Sequence, residues 1–380
     1  MIESMPNHST RKPQILILTV SHGASHWRNG EALRKAFLEI QPELSVEMVD
    51  GLEHCAPWFR AYYNSYLIPL KYWPALWGWI EGLQHQAKAT GPGWLYRRGA
   101  QPLFQFIRGF NPDVVIATEV GMCEVAAMLK RETRARFYLV ASCGMDMDRA
   151  WIQPEADLYL LPPGEVAAQL KAVGAPEDRV LPCGMPLDPA FSSLPDQQTA
   201  RVRLGIEPAI PMLLVLFGGV GFGKPHRLLP QLRKVQHPLQ QVFITGKNRR
   251  LEEEIRPYCQ HRRHCRVYGW VENIHEWMAA ADLMLGKPGG ATVNEAINAG
   301  LPLVAFDPLP GIERRLCDLI EKWQVGYWAR RAEEIAPLLD RLLADPSELA
   351  RLRANALAKA RPQAARQAAA AIMNDWQARR

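Results

Sequence analysis

Cysteine is scarce and unpatterned in this 380-residue chain: seven residues, at 55, 123, 143, 183, 259, 265 and 317, with no Cys-x-x-Cys. An odd, scattered set excludes a disulfide framework as the organising device and reads most simply as reduced thiols in a cytoplasmic protein. No run approaches the roughly 18 apolar residues of a membrane-crossing helix. The nearest, Leu67 to Ile80, is shorter and holds Pro69, Lys71 and Pro74. Residues 1–13 are polar and end in Arg11-Lys12-Pro13, unlike a signal peptide. The expectation is a protein that is soluble or lies on a membrane without crossing it. Neither charge sign dominates, since 45 Lys+Arg against 39 Asp+Glu leave +6. That balance suits an anionic surface or a phosphate-bearing ligand and is too mild to argue for nucleic acid. Tandem repeats are absent. The 48% hydrophobic and 22% charged fractions exclude disorder and coiled coil as descriptions of the whole chain.

What is present is alternation. Short apolar runs at Gln14–Val20, Val46–Val49, Asp113–Thr118, Phe137–Ala141 and Asp157–Leu161 recur between amphipathic stretches. A second set follows at Met212–Phe217, Gln241–Thr245, Cys265–Tyr268, Ala281–Leu285 and Pro302–Phe306. Runs of this length without polar alternation indicate strands buried on both faces, hence parallel sheets covered by helices. Ala32, Leu33, Ala36, Phe37 and Ile40 make an apolar stripe at helical spacing. Two such halves imply two Rossmann-like α/β domains, 14–195 and 205–380, joined through the proline-rich stretch Pro186–Pro211. From about Arg330 the chain turns Ala/Arg/Leu-rich and helical to its end.

Three strand-to-helix loops carry the chemistry. The first strand runs into Ser21-His22-Gly23-Ala24-Ser25-His26, with a helix expected near Arg28. His26 sits where an imidazole reaches into a cleft, the alternative being a loop histidine bonded locally. In the second half, Phe217-Gly218-Gly219-Val220-Gly221-Phe222-Gly223-Lys224 follows a strand. Its backbone amides and Lys224 suit an anion, and the missing Gly-Lys-Ser/Thr ending excludes a P-loop. The third, Gly286-Lys287-Pro288-Gly289-Gly290-Ala291-Thr292-Val293-Asn294-Glu295, opens a helix whose first amides suit phosphate oxygens. Glu295, one turn in, is placed to accept hydrogen bonds from a ribose diol. A glutamate favoured there by the helix dipole alone is the competing account.

Nine aromatic residues fall between Trp58 and Ile80, among them Trp58, Tyr62, Tyr66, Trp73 and Trp77. Trp and Tyr concentrate at bilayer interfaces, and Arg60 and Lys71 suit lipid headgroups. An aromatic core helix is the alternative. The cluster Cys259-Gln260-His261-Arg262-Arg263-His264-Cys265 has zinc-type side chains at the wrong spacing and beside three arginines, so no metal is expected.

In order along the chain stand Trp151-Ile152-Gln153-Pro154, Gly184-Met185-Pro186-Leu187-Asp188-Pro189, Gly246-Lys247-Asn248, Gly269-Trp270-Val271, Lys287-Pro288-Gly289-Gly290 and Pro310-Gly311-Ile312-Glu313. Together with the opening strand and its histidine, this series resembles the glycosyltransferase family of monogalactosyldiacylglycerol synthases and diacylglycerol glucosyltransferases. The lipid II-forming N-acetylglucosaminyltransferase is a more distant likeness. The chain departs from the family at Gly23-Ala24-Ser25-His26, at Cys143-Gly144 and at Ile312. The resemblance implies a GT-B fold and inverting transfer of a hexose from a UDP-sugar to a membrane lipid, diacylglycerol first among the candidates. A polyprenyl or other lipid-linked acceptor, or a non-catalytic UDP-sugar or lipid binder, are the alternatives. It further implies His26 as general base, with UDP held by Gly218, Gly219, Gly221, Gly223, Asn248, Trp270, Val271, Gly289, Gly290, Ala291, Thr292, Glu295 and Glu313. No cofactor beyond the UDP-sugar substrate and no nucleic acid is implied. The expected location is peripheral, on the cytoplasmic face of an anionic membrane.

Overall fold

The computed structural model describes residues 12–379 apart from 22, 23, 86, 146–148, 173, 220 and 222. Apolar runs become strands buried on both sides: Ile15, Leu16, Ile17 and Leu18 of the first have no exposed surface, nor do Val114 to Ala117 of the third. In the first half the strands are β1 (Gln14–Thr19), β2 (Ser45–Asp50), β3 (Val114–Ala117), β4 (Tyr138–Ser142), β5 (Leu158–Leu160) and β6 (Val180–Leu181). The second half holds β7 (Met212–Leu216), β8 (Gln240–Ile244), β9 (Cys265–Tyr268), β10 (Leu283–Gly286), β11 (Leu303–Phe306) and β12 (Gly326–Ala329). They form two parallel six-stranded sheets, ordered β2-β1-β3-β4-β5-β6 and β12-β11-β10-β7-β8-β9. Registers are regular: Ile17 pairs with Met48 on one side and Ile116 on the other, and Leu214 sits between Val242 and Met284. Each sheet reverses its strand order once, between β1 and β3 and between β7 and β10, which leaves a crevice at the carboxyl ends there.

The two sheets match the sequence expectation, and the departures are local. Strands β6 and β12 went unnoticed, the one because two residues make no pattern, the other because Gly326-Tyr327-Trp328-Ala329 has no aliphatic run. Helix α1 (Ala24–Ile40) starts one turn before Arg28, so Ala24, Ser25 and His26 form its first turn. Its stripe buries Ala32, Leu33, Ala36 and Phe37, while Ile40 stays 42% exposed. His22 and Gly23, part of the same loop, lie outside the described residues. Cys259 and Cys265 form a disulfide across the turn between the Arg249–Cys259 helix and β9, which corrects the expectation of reduced thiols at these two positions. The other five cysteines are free and buried.

The domain division expected at 195–205 also shifts. Leu187, Phe191, Ala200 and Ile206 already pack in the core under the second sheet, so that domain begins before the prolines end. In the opposite sense, the last helix, Ala364–Ala378, starts in the core of the second half and crosses to the first. Its Ala365, Ala368, Ala369, Ile372, Met373 and Trp376 pack with Ile15, Ile17, Leu33 and Phe37 under the first sheet. Small alanines let the helix lie close against α1, and Tyr138 donates to Asp375 from β4. Among the described residues no helix is long and apolar enough to cross a membrane. Because Ile372 is fully buried in the first domain, Ile372→Ala is expected to lower stability by about 2–5 kcal/mol. Chemical denaturation followed separately on probes of each domain should show the first domain losing it.

Candidate donor and acceptor site

At the first crevice, β1 runs into α1 and β3 runs through Thr118 to Glu119. The His26 Nδ1 lies 2.7 Å from the Thr118 carbonyl oxygen. A carbonyl only accepts, so Nδ1 carries the hydrogen and the neutral ring keeps its lone pair on Nε2. His26 lines a cavity of about 510 Å³ together with Tyr66, Trp77, Glu81 and Glu119. Glu119 is buried, accepting from the Met122 amide at 3.0 Å and from the Tyr63 hydroxyl at 2.7 Å. Burial first, and then this carboxylate, push the Tyr63 phenol well above its ordinary range. Burial and Glu119 raise Tyr66 in the same direction. Both phenols therefore stay protonated; that of Tyr63 is committed to Glu119, and that of Tyr66 lines the cavity. Glu119 was missed in the sequence, although its place directly after a buried strand was the available signal.

Three helices follow one another along the aromatic segment, and they sort its rings into two sets. Of α2 (Pro57–Asn64), Phe59 is core, while Trp58 and Tyr62 are exposed. In α3 (Leu67–Tyr72) and α4 (Pro74–His85), Ile68, Leu76, Trp79 and Leu83 point outward with Tyr72 and, between them, Trp73. Tyr66 and Trp77, expected at a membrane surface, instead face each other at 5.3 Å and line the cavity. The reason is helical phase: Trp77 and Glu81 share one face of α4, and Trp79 and Leu83 the other. The side chain of Lys71 lies outside the described set, and Arg60 is exposed. Glu81 reaches the second domain, accepting from the Ile312 amide at 2.8 Å and from Arg315 at 3.0 Å at the start of the Ile312–Lys322 helix.

At the second crevice the glycine loop after β7 and the Gly290–Asn298 helix after β10 face the first turn of α1. A Cβ on Gly219 would stand 2.8 Å from that of Ala24, and one on Gly290 would stand 3.3 Å from the Ser25 hydroxyl. No side chain caps the Gly290–Asn298 helix at Gly289, so its first amides are presented toward the cleft. Asn248 stands behind the loop: it donates to the Gly221 carbonyl at 2.8 Å and accepts from Leu251 at 3.0 Å, so it shapes the loop. Val220 and Phe222 lie outside the described residues. Trp270 is 39% exposed, with Arg28 and Lys247 at 5.2 and 5.1 Å from its ring centre. Glu295 is buried and paired with Arg28 of α1 across the cleft. Glu313 is buried as well, accepting from Lys287 and, at 2.7 Å, from the Leu309 amide. It thus ties the Lys287-Pro288-Gly289 turn to the 309–311 loop. Two chambers meet here, of about 40 and 460 Å³, sharing Arg28, Trp270, Val271, Ala291 and Glu295.

Gly311, next to Glu81, adopts φ +86°, and a Cβ there would fall 1.2 Å from the Glu81 carboxylate. Gly311→Ala is therefore expected to cost about 1–3 kcal/mol of strain and to break the contact between α4 and the second domain. Denaturation of this variant beside Glu81→Ala measures it; an unchanged midpoint in Gly311→Ala would show that the two domains do not meet here.

Residues 26–187 match the monogalactosyldiacylglycerol (MGDG) synthase family, and residues 224–359 match the glycosyl transferases group 1 family. Among curated relatives, the processive diacylglycerol beta-glucosyltransferase of Bacillus cereus is 24% identical over 90% of this chain and 89% of its own length. That of Bacillus subtilis is 26% identical over 68% of both. The one of Staphylococcus carnosus is 26% identical over 54% of this chain, which spans only 53% of that enzyme's length. Among solved structures, Acinetobacter baumannii MurG superposes with a TM-score of 0.63 at 13% identity, covering 96% of this chain and all of that one. Anabaena HepE in complex with UDP-glucose gives 0.54 at 16% identity, covering 95% and 99%.

Proposed function

We propose that this chain, a GT-B fold whose two halves match the MGDG synthase and group 1 glycosyl transferase families, transfers a hexose from a UDP-sugar to a hydroxyl of a diacylglycerol-type membrane lipid. The observation that carries the reading is the placement of His26. Its Nδ1 is fixed on the Thr118 carbonyl, and its ring lies between the 510 Å³ cavity and a helix turn pressed against both glycine loops. The lipid hydroxyl enters from the cavity, where the Tyr66 phenol donates and the Glu119 carboxylate accepts. His26 Nε2 takes the hydroxyl proton as the oxygen attacks the anomeric carbon. The new C–O bond forms as the bond to the β-phosphate oxygen breaks, so one displacement inverts the carbon. The relatives' names specify a β-product, the outcome of inverting an α-linked donor.

UDP leaves as an anion. Amides of the Gly218–Gly223 loop and the start of the Gly290–Asn298 helix meet its charge, so the reaction runs without a metal. Glu295 receives the ribose diol, and Trp270-Val271 frame the base. Lys287, held by Glu313, stands at the sugar end. The exposed rings of Trp58, Tyr62, Trp73 and Trp79 seat the protein peripherally on an anionic, cytoplasmic membrane face, where the +6 net charge adds attraction.

Transfer from radiolabelled UDP-glucose, UDP-galactose and UDP-N-acetylglucosamine into vesicles containing diacylglycerol tests the activity; UDP binding without transfer to any lipid would remove it. His26→Ala is expected to slow single-turnover transfer by about 10²–10⁴-fold, with UDP affinity unchanged because the nucleotide loops belong to the other domain. Paired replacement of Trp73 and Trp79 with Ser should abolish co-sedimentation with anionic vesicles while UDP still binds. Retained sedimentation would place the membrane contact elsewhere.

A further inference from the structure

Four cations around the two glycine loops have carboxylate partners, while Lys247 lies over the Trp270 ring. Lys287 pairs with Glu313, Lys224 and Arg227 with Asp307, and Arg28 with Glu295. Arg28 differs from the others in coming from the first domain. Its guanidinium crosses from α1 to the Gly290–Asn298 helix, with the two side chains 24% and 9% exposed. Its partner is the carboxylate read above as the ribose acceptor, so Arg28 stands where the ribose would bind.

The same side chain controls the space. Arg28 and Ala24, one turn apart on α1, wall a chamber with Gly218, Gly219, Thr292 and Glu295 that holds about 40 Å³. Small-molecule sites run to roughly 300–1,000 Å³. The adjoining chamber of about 460 Å³ is of that size, and the Arg28–Glu295 pair lines both spaces. Glu295 also raises the already high affinity of Arg28 for its proton, so the guanidinium is charged at every accessible pH. Its guanidinium lines the same chamber as Gly218, Gly219 and Thr292. A planar fork of five donors matches phosphate oxygens in two-point contact.

We propose that Arg28 is a ligand of the donor diphosphate, held on Glu295 until the ribose displaces it. Paired with Glu295, it neutralises a buried carboxylate and narrows the chamber beside the glycine loop. On donor entry the ribose hydroxyls take over Glu295 and the guanidinium turns to the phosphates, where negative charge grows as the glycosidic bond breaks. Because Arg28 rides on the helix that carries His26, this contact joins the leaving group to the domain of the base. The displacement half of the proposal rests on the ribose reading of Glu295.

Equilibrium binding of uridine and of UDP to the full-length protein separates the two halves. In Arg28→Gln, uridine is expected to bind roughly two- to fivefold tighter, the scale of a lost, partly exposed ion pair that no longer competes. UDP is expected to bind about tenfold weaker or worse, and Arg28→Lys should restore part of that loss. Equal shifts for both ligands, or UDP affinity unchanged, would overturn the role of Arg28. In Glu295→Gln, unchanged uridine affinity would overturn the ribose reading alone, and the UDP loss in Arg28→Gln still decides whether the guanidinium meets the diphosphate. A melting transition for each variant confirms that it is folded.

Discussion

A parallel β-ladder forbids hairpins: every strand must be followed by a crossing over one face of the sheet, and neighbouring crossings part only where strand order reverses. In this chain those reversals fall between β1 and β3 and between β7 and β10. The loops that leave these four strands hold His26, Glu119, the Gly218–Gly223 loop and the Gly289–Thr292 turn. The chemistry is concentrated there because a reversal leaves the carboxyl edge of the sheet open to a ligand. The final helix, Ala364–Ala378, returns to the first sheet and bolts the second domain to the first. The two crevices therefore confront each other, close enough that Ala24 restricts residue 219 to glycine.

Electrostatics in the cleft follows from burial. Glu119, Glu295 and Glu313 are all nearly inaccessible to solvent, and a buried carboxylate is tolerated only with donors in place. Each has them, from Tyr63 and a helix amide, from Arg28, and from Lys287 and a loop amide respectively. The two carboxylates of the second domain are thereby neutralised by cations, so they add little negative charge to the cleft. Glu119, in the first domain, meets the Tyr63 hydroxyl and a helix amide in place of a cation.

The segment between Trp58 and His85 divides its side chains between the outer surface, the cavity and the second domain through the phase of one helix. Trp79 and Leu83 of α4 face outward, Trp77 faces the cavity, and Glu81 caps the Ile312–Lys322 helix of the other domain. A lipid drawn from a bilayer under α4 would meet the cavity without crossing water. The aromatic density visible in the sequence thus divides between exposed rings and rings that pack inward around the cavity.

Apolar runs such as Gln14–Val20 and Met212–Phe217 were enough to determine strands buried on both faces, and with them two parallel α/β domains and the loops that carry glycine and His26. Period and composition are local properties, and local properties are legible in a one-dimensional string. Glu119, Glu81 and Arg28 were not, because a single charged residue acquires meaning from what lies opposite it, and their partners are 56, 231 and 267 residues away. The same holds for the return of the last helix to the first domain, which its alanines permit without specifying. Tertiary structure alone decided that Arg28 occupies Glu295, since an ion pair between two domains depends on how those domains close and on nothing that either segment carries by itself.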